Sequence, residues 1–206
     1  MTIDEMMCAA PVIPVLVLDE GVDAVSLAEA LVEGGLPVIE VTLRTPGALA
    51  VMTAMTAVKG AIVGAGTVLD EAMLWAAIDA GAQFIVSPGL TDPLARAAIA
   101  SGIPFLPGVA NAGDIMRGRD HGLDRFKFFP AEAAGGLPAL KALAAPFGGV
   151  RFCPTGGISE QNAPAWLVHP SVLCVGGSWI VPAGEIDLAA IGKRAKAAAG
   201  LGAPAP

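Results

Sequence analysis

The sequence predicts an α/β protein of one domain, a (β/α)8 TIM barrel, on three observations. Short β-rich runs alternate with Ala- and Leu-rich helical segments through eight units. Strand starts recur roughly every 20 to 26 residues, about the least that a strand, a helix and two tight loops can occupy. The chain of 206 residues is long enough for one well-packed core and too short for two ordinary domains. Eight units joined by short loops favour closure into a barrel. The competing open doubly wound sheet has fewer units, and its nucleotide-binding forms carry a Gly-rich first turn. Here the first strand runs into Asp19-Glu20-Gly21 instead.

The elements follow in order. Strands are expected at Val12–Leu18, Pro37–Leu43, Ala61–Thr67, Gln83–Ser87, Ile103–Pro107, Arg125–Phe129, Val150–Thr155 and Val172–Val175. Between and after them, helical spacing marks Val22–Glu33, Ala48–Val58, Glu71–Ala80, Pro93–Ala100, Ala112–Gly118, Leu137–Ala144, Gln161–Leu167 and Leu188–Ala199. Thr45 with Pro46, Thr91 with Pro93, Asn111 and Ser159 read as helix starts, and Gly34–Gly35, Gly81 and Gly102 as helix ends. The barrel spans residues 1–199; the remainder, 200–206, has no apolar pattern and reads as a flexible tail.

Composition narrows the function. Hydrophobic residues make up 54% and charged ones 15%, which excludes disorder and suggests either a large interior relative to surface or a surface partly covered by a partner subunit. The net charge of -7 comes with no Lys/Arg cluster, so neither nucleic acid nor an anionic membrane is expected as a partner. Met1–Ala10 lacks the basic and apolar regions of a secretory signal, and the least charged stretch, Thr45–Leu69, is broken by Lys59 and glycines. Three unclustered cysteines, Cys8, Cys153 and Cys174, suit reduced thiols in a cytoplasm.

Two parity rules single out the chemistry. Alternate strand residues point into a barrel, and reactions occur at the C-terminal ends of its strands. In Arg125-Phe126-Lys127-Phe128-Phe129-Pro130, outward Phe126 and Phe128 turn Lys127 inward near that end. Burial disfavours an ammonium relative to the free amine, and the free amine is what attacks a carbonyl. Lys59, Lys141, Lys193 and Lys196 fall on helices or loops and read as surface charges. In Val38-Ile39-Glu40-Val41-Thr42-Leu43-Arg44 the same rule places Glu40, Thr42 and Arg44 inside. They are either a self-neutralising Glu–Arg pair, or a general acid/base beside Lys127 with Arg44 at the rim for a substrate carboxylate.

Two double-glycine turns, Thr155-Gly156-Gly157 and Gly176-Gly177-Ser178, follow strands seven and eight, the usual phosphate position of this fold. Glycine there lets backbone N–H groups approach an anion beside a helix start, so a phosphorylated small molecule is expected. His121 and His169 lie far apart and read as surface residues, and no His or Cys spacing resembles a metal site. Cys153 and Cys174 read as small core side chains, and Trp75 and Trp166 as packing residues. Trp179 reads as a cover for the site or a cap on the barrel.

At these motifs the chain resembles the 2-keto-3-deoxy-6-phosphogluconate (KDPG) aldolase family, a class I aldolase family. The resemblance runs from about Pro11 to Pro182 and is carried by EVTLRTP (Glu40–Pro46), VGAGTVL (Val63–Leu69), SPGLT (Ser87–Thr91), FKFFPAE (Phe126–Glu132), RFCPTGGIS (Arg151–Ser159) and VGGSWIVP (Val175–Pro182). It implies Lys127 as the Schiff-base lysine and Glu40 as the proton-transferring carboxylate. It further implies Arg44 and Thr67 on the pyruvyl carboxylate, Pro88 and Phe129 lining the pocket, and Thr155 near the cleaved bond. Gly156, Gly157, Gly177 and Ser178 would hold the phosphate. A homotrimer is implied as well, which would account for the low charge fraction, and no metal or organic cofactor is required. The chain departs from many relatives at Asn111-Ala112-Gly113-Asp114, where they have Thr-Pro-Ser-Glu, and its N-terminus is short.

The activity implied is reversible cleavage of KDPG to pyruvate and glyceraldehyde 3-phosphate. Within the same chemistry the rivals are the 6-phosphogalactonate epimer and 4-hydroxy-2-oxoglutarate. From other classes, a phosphate-binding barrel isomerase and a non-catalytic phosphosugar-binding barrel would not need Lys127 as an imine nucleophile.

Overall fold

In the computed structural model, residues 1–184 and 187–202 are described. The chain opens with a helix that its sequence pattern did not reveal, α1 (Ile3–Cys8). Thr2 and Glu5 form a reciprocal capping box at its start. Then follow β1 (Val12–Leu16), α2 (Ala24–Glu33), β2 (Val38–Thr42), α3 (Ala48–Thr56), β3 (Ile62–Gly66), α4 (Glu71–Asp79), β4 (Ile85–Val86) and α5 (Asp92–Ser101). The second half holds β5 (Phe105–Leu106), β6 (Gly108–Val109), α6 (Ala112–Asp120), β7 (Arg125–Phe128), α7 (Gly136–Ala144), β8 (Arg151–Pro154), α8 (Ala163–Leu167), β9 (Val175–Gly177) and α9 (Leu188–Ala199).

All strand pairs are parallel. One run is ordered β5-β4-β3-β2-β1-β9 and the other β6-β7-β8. β5 and β6 are one stave interrupted at Pro107, which has no N–H to offer a ladder while its carbonyl accepts from Lys127 N at 2.9 Å. Bridges between Phe152 and Val172 and between Thr155 and Gly176 close the other seam. The expected eight-stave barrel therefore forms, with its last strand at Val175–Gly177 and not at the expected Val172–Val175, where Val172 makes only an isolated bridge.

Two apolar clusters divide the core. The larger lies between strands and helices, with Ile39, Val41, Val63, Phe126, Phe128 and Phe152. The smaller fills the barrel interior, where Met6 and Met7 of α1 pack with Ile13, Val38, Phe84, Val86, Leu106, Cys153 and Cys174. Helix α1 thus plugs the barrel floor, and Asp4 ties it to Arg125 at the start of β7.

Two expected helix starts differ. Gly47, not Thr45, caps α3, because the Thr45 hydroxyl donates to the Leu18 carbonyl instead. Asn162, not Ser159, precedes α8, with Ser159 as its hydrogen-bond partner. Of the expected tail, Gly200 caps α9 and Leu201 lies against the core, while 203–206 are outside the described residues. Among the described residues no helix is long and apolar enough to cross a membrane.

Candidate active site

Parity on β7 is enforced by its two core phenylalanines. Phe126 lies tilted against Phe152, with centroids 6.4 Å apart, and against α6, where a Cβ on Gly118 would fall 2.4 Å from its ring. Phe128 lies 6.3 Å from Trp166 of α8. Turning the strand over would expose both rings, so the lysine between them faces the barrel interior and is only 5% exposed.

On β2, Ile39 and Val41 face the helices and Glu40 faces inward, 3% exposed. Lys127 Nζ donates to Glu40 Oε1 at 3.0 Å, with Oε2 at 3.4 Å. The carboxylate lies over Gly66 of β3, where a Cβ would fall 2.2 Å from Oε1. Thr42, also inward, donates to the Leu16 carbonyl at 2.8 Å and so pins β2 to β1. Lys127, not Arg44, is thus the partner of Glu40. Arg44 is exposed at the mouth, and no carboxylate of the described residues lies within ion-pairing distance of it.

A cavity of about 200 Å³ opens at the strand ends, and neither Lys127 nor Glu40 is among its lining residues. Of the candidate site residues, Arg44, Phe129, Thr155, Gly156, Gly157 and Ser178 lie along its walls. Gly176 of the second glycine turn lines it too, in place of Gly177, and so do Val15, Val17 and Ile158, which were not foreseen. Phe129 links the cavity to the nucleophile, its ring centroid 5.4 Å from Lys127 Nζ. A second cavity of about 410 Å³ shares Val15, Val17, Arg44 and Ser178 and is walled by Trp179, Val181 and Pro182. Trp179 therefore shapes the mouth, and its ring fills the space above Gly177, where a Cβ would lie 1.8 Å from it.

The other expected residues are placed differently. Thr67 follows Gly66 with φ 60°, a left-handed conformation that strains a β-branched residue and commonly marks functional sites. Pro88 lines a separate groove of about 350 Å³ with Val68, Leu69, Leu90 and Leu94. Neither glycine turn runs straight into a helix, since α8 begins at Ala163 and α9 at Leu188. An anion there would meet loop amides. Both histidines are half-buried, not on the surface. His121 stands 3.2 Å from Asp92, and this hydrogen bond holds the Asp92 carboxyl below the usual carboxylate range. Burial, then the nearby Lys141 charge, pushes His169 below the ordinary imidazole value. Cys153 and Cys174 are buried free thiols within the barrel.

The fold is a parallel α/β barrel with a carboxylate held against an amine inside it, and comparison with known proteins resolves which kind. The family model for KDPG and KHG aldolase matches residues 3–194. A 2-dehydro-3-deoxy-phosphogluconate aldolase of Zymomonas mobilis is 60% identical over 196 residues, covering 95% of this chain and 94% of the relative. The crystal structure of the Zymomonas mobilis KDPG aldolase with 3-phosphoglycerate superposes with TM-score 0.96 at 59% identity, over 98% of this chain and 96% of that one. KDPG aldolase from Legionella pneumophila, solved with pyruvate captured as a covalent carbinolamine, gives TM-score 0.93 at 44% identity, over 97% and 98%. The chain belongs to the KDPG and KHG aldolase family, and is thereby a carbon–carbon lyase.

Proposed function

We propose that this enzyme reversibly cleaves 2-keto-3-deoxy-6-phosphogluconate to pyruvate and glyceraldehyde 3-phosphate through a Schiff base on Lys127. The observation that carries the reading is the buried Lys127–Glu40 pair, 3.0 Å apart, which Phe129 links to a glycine-lined cavity. The relatives' names and the carbinolamine captured in the Legionella enzyme support it.

The Nζ lone pair of Lys127 adds to the C2 carbonyl, and loss of water gives an iminium ion. Glu40, through a water, takes the C4 hydroxyl proton as the C3–C4 bond breaks and its electrons pass to the iminium, leaving an enamine. The aldehyde departs, the proton returns to C3, and hydrolysis frees pyruvate and the amine. The short contact from Nζ to Oε1 lets one carboxylate serve both the amine and the reacting carbons. Arg44 and Thr67 would orient the pyruvyl carboxylate, with Phe129 beside it and Thr155 near the cleaved bond; Pro88, in its separate groove, is left out of the substrate pocket. The turns holding Gly156, Gly157, Gly177 and Ser178 would take the phosphate. None of these steps calls for a metal or an organic cofactor.

The reading extends to a homotrimer in the cytoplasm. Leu69 and Met116 stand 55% and 59% exposed, and the apolar groove at Val68, Leu69 and Leu90 is of a kind that a subunit contact covers. The three free thiols suit a reducing compartment. Substrate choice is tested by comparing kcat/KM for KDPG, its 6-phosphogalactonate epimer and 4-hydroxy-2-oxoglutarate. KDPG is expected to rank first; a higher value for either rival overturns the assignment.

A further inference from the structure

The geometry points to Glu132 as a positioning residue that aims the amides of the 156–158 turn at the substrate phosphate. The inference deepens the reading above and rests on its phosphate position.

Glu132 follows Lys127 by five residues, on the turn between β7 and α7, and acts on the glycine turn in two ways. Its backbone N–H donates to the Gly156 carbonyl at 3.0 Å. Its Oε1 accepts from Asn162 Nδ2 at 3.1 Å, and the same Asn162 amide donates to the Gly157 carbonyl at 3.0 Å. Asn162 is fixed in this orientation because its Oδ1 accepts from Ser159 N at 2.8 Å. Trp166 holds the same oxygen, its indole N–H donating to Oε1 at 3.0 Å.

In a trans peptide the carbonyl and the following N–H point in opposite directions. Fixing the Gly156 and Gly157 carbonyls on the Glu132 side therefore turns the N–H groups of Gly157 and Ile158 the other way. Neither amide donates to an acceptor among the described residues, and both residues line the cavity. Gly157, at φ +79°, is packed against the same glutamate, since a Cβ there would fall 2.7 Å from Glu132 Cβ and Cγ. Two adjacent outward amides make an anion nest. A glutamate so close to a phosphate position opposes the anion by charge, so its presence fits a geometric role.

The test compares KM for KDPG with KM for its unphosphorylated analogue, 2-keto-3-deoxygluconate, and follows exchange of the pyruvate methyl protons, which involves no phosphate. Glu132→Ala is expected to raise KM for KDPG about tenfold, roughly the worth of one well-placed hydrogen bond to a charged group. The analogue's KM and pyruvate exchange should stay near wild type. Glu132→Gln keeps both accepting contacts and should restore KM for KDPG. If Glu132→Ala fails to fold because the Trp166 indole is left unpaired, Asn162→Ala decides, since it frees the Gly157 carbonyl and leaves that contact intact. A wild-type enzyme indifferent to the phosphate would defeat the phosphate reading itself. A wild-type preference that survives in Glu132→Ala, or in Asn162→Ala where the first is unfolded, overturns the role of Glu132. Equal loss on both substrates and on pyruvate exchange would make the contact merely structural and overturn it as well.

Discussion

Gly66→Ala adds one methyl group to the end of β3, at φ that alanine tolerates, yet it should disable the site. The new Cβ would fall 2.2 Å from Glu40 Oε1, 2.7 Å from Cγ and 2.8 Å from Cδ, whereas ordinary contact begins at 3.4 Å. The carboxylate must retreat by over an ångström, and it loses the contact with Lys127 Nζ in doing so. A displacement of about 1 Å at a catalytic group costs on the order of 100-fold in rate. Overpacking a filled interior costs about 1–3 kcal/mol. For a domain of this size each kcal/mol lowers Tm by about 2–4 °C. The assay is kcat from continuous pyruvate release, with a thermal melt and borohydride trapping of the pyruvate imine on the same preparation. A folded variant that still traps pyruvate but cleaves slowly is expected. Wild-type kcat in Gly66→Ala would refute the claim that the seat of Glu40 on Gly66 sets the geometry of proton transfer.

Glu40→Gln should still form the imine but lose about 100- to 10,000-fold in cleavage and pyruvate proton exchange, read by stopped-flow and isotope exchange; full cleavage activity would remove Glu40 from the mechanism. Asp114→Ala should cost about 0.5–2 kcal/mol, read by denaturant titration, with kcat unchanged. That carboxylate accepts from Ala110 N at 2.9 Å and Asn111 Nδ2 at 3.0 Å, so the divergent Asn111–Asp114 segment still caps α6.

Strand parity made Lys127 and Glu40 legible, because Phe126, Phe128, Ile39 and Val41 leave the residues between them one direction to face. It did not carry to the rim. There, loop paths decide whether Pro88 or Gly176 meets the cavity, and loops have no period to read. The floor plug escaped notice because α1 spans six residues, too few for an amphipathic repeat, and buries the adjacent Met6 and Met7 together. The support behind the glycine turn was hidden in another way. Glu132, Asn162 and Trp166 meet across about 30 residues of sequence, and each alone reads as a charge, a turn residue or a packing ring. The spacing of Asn162 and Trp166, four apart around the start of α8, is the one local hint that both serve a common acceptor. Thr45 looked like a cap by residue type but donates to the Leu18 carbonyl, whereas Ser159 does accept from Asn162 N three residues on, at the turn that leads into α8.

Whether Lys127 carries the reaction as an imine is decided by incubating the enzyme with pyruvate and borohydride, then mapping the peptides by mass spectrometry. A reduced pyruvate adduct is expected on Lys127, absent from Lys127→Ala. Folded wild-type protein that repeatedly yields no adduct, or an adduct on another lysine, would contradict this role of Lys127.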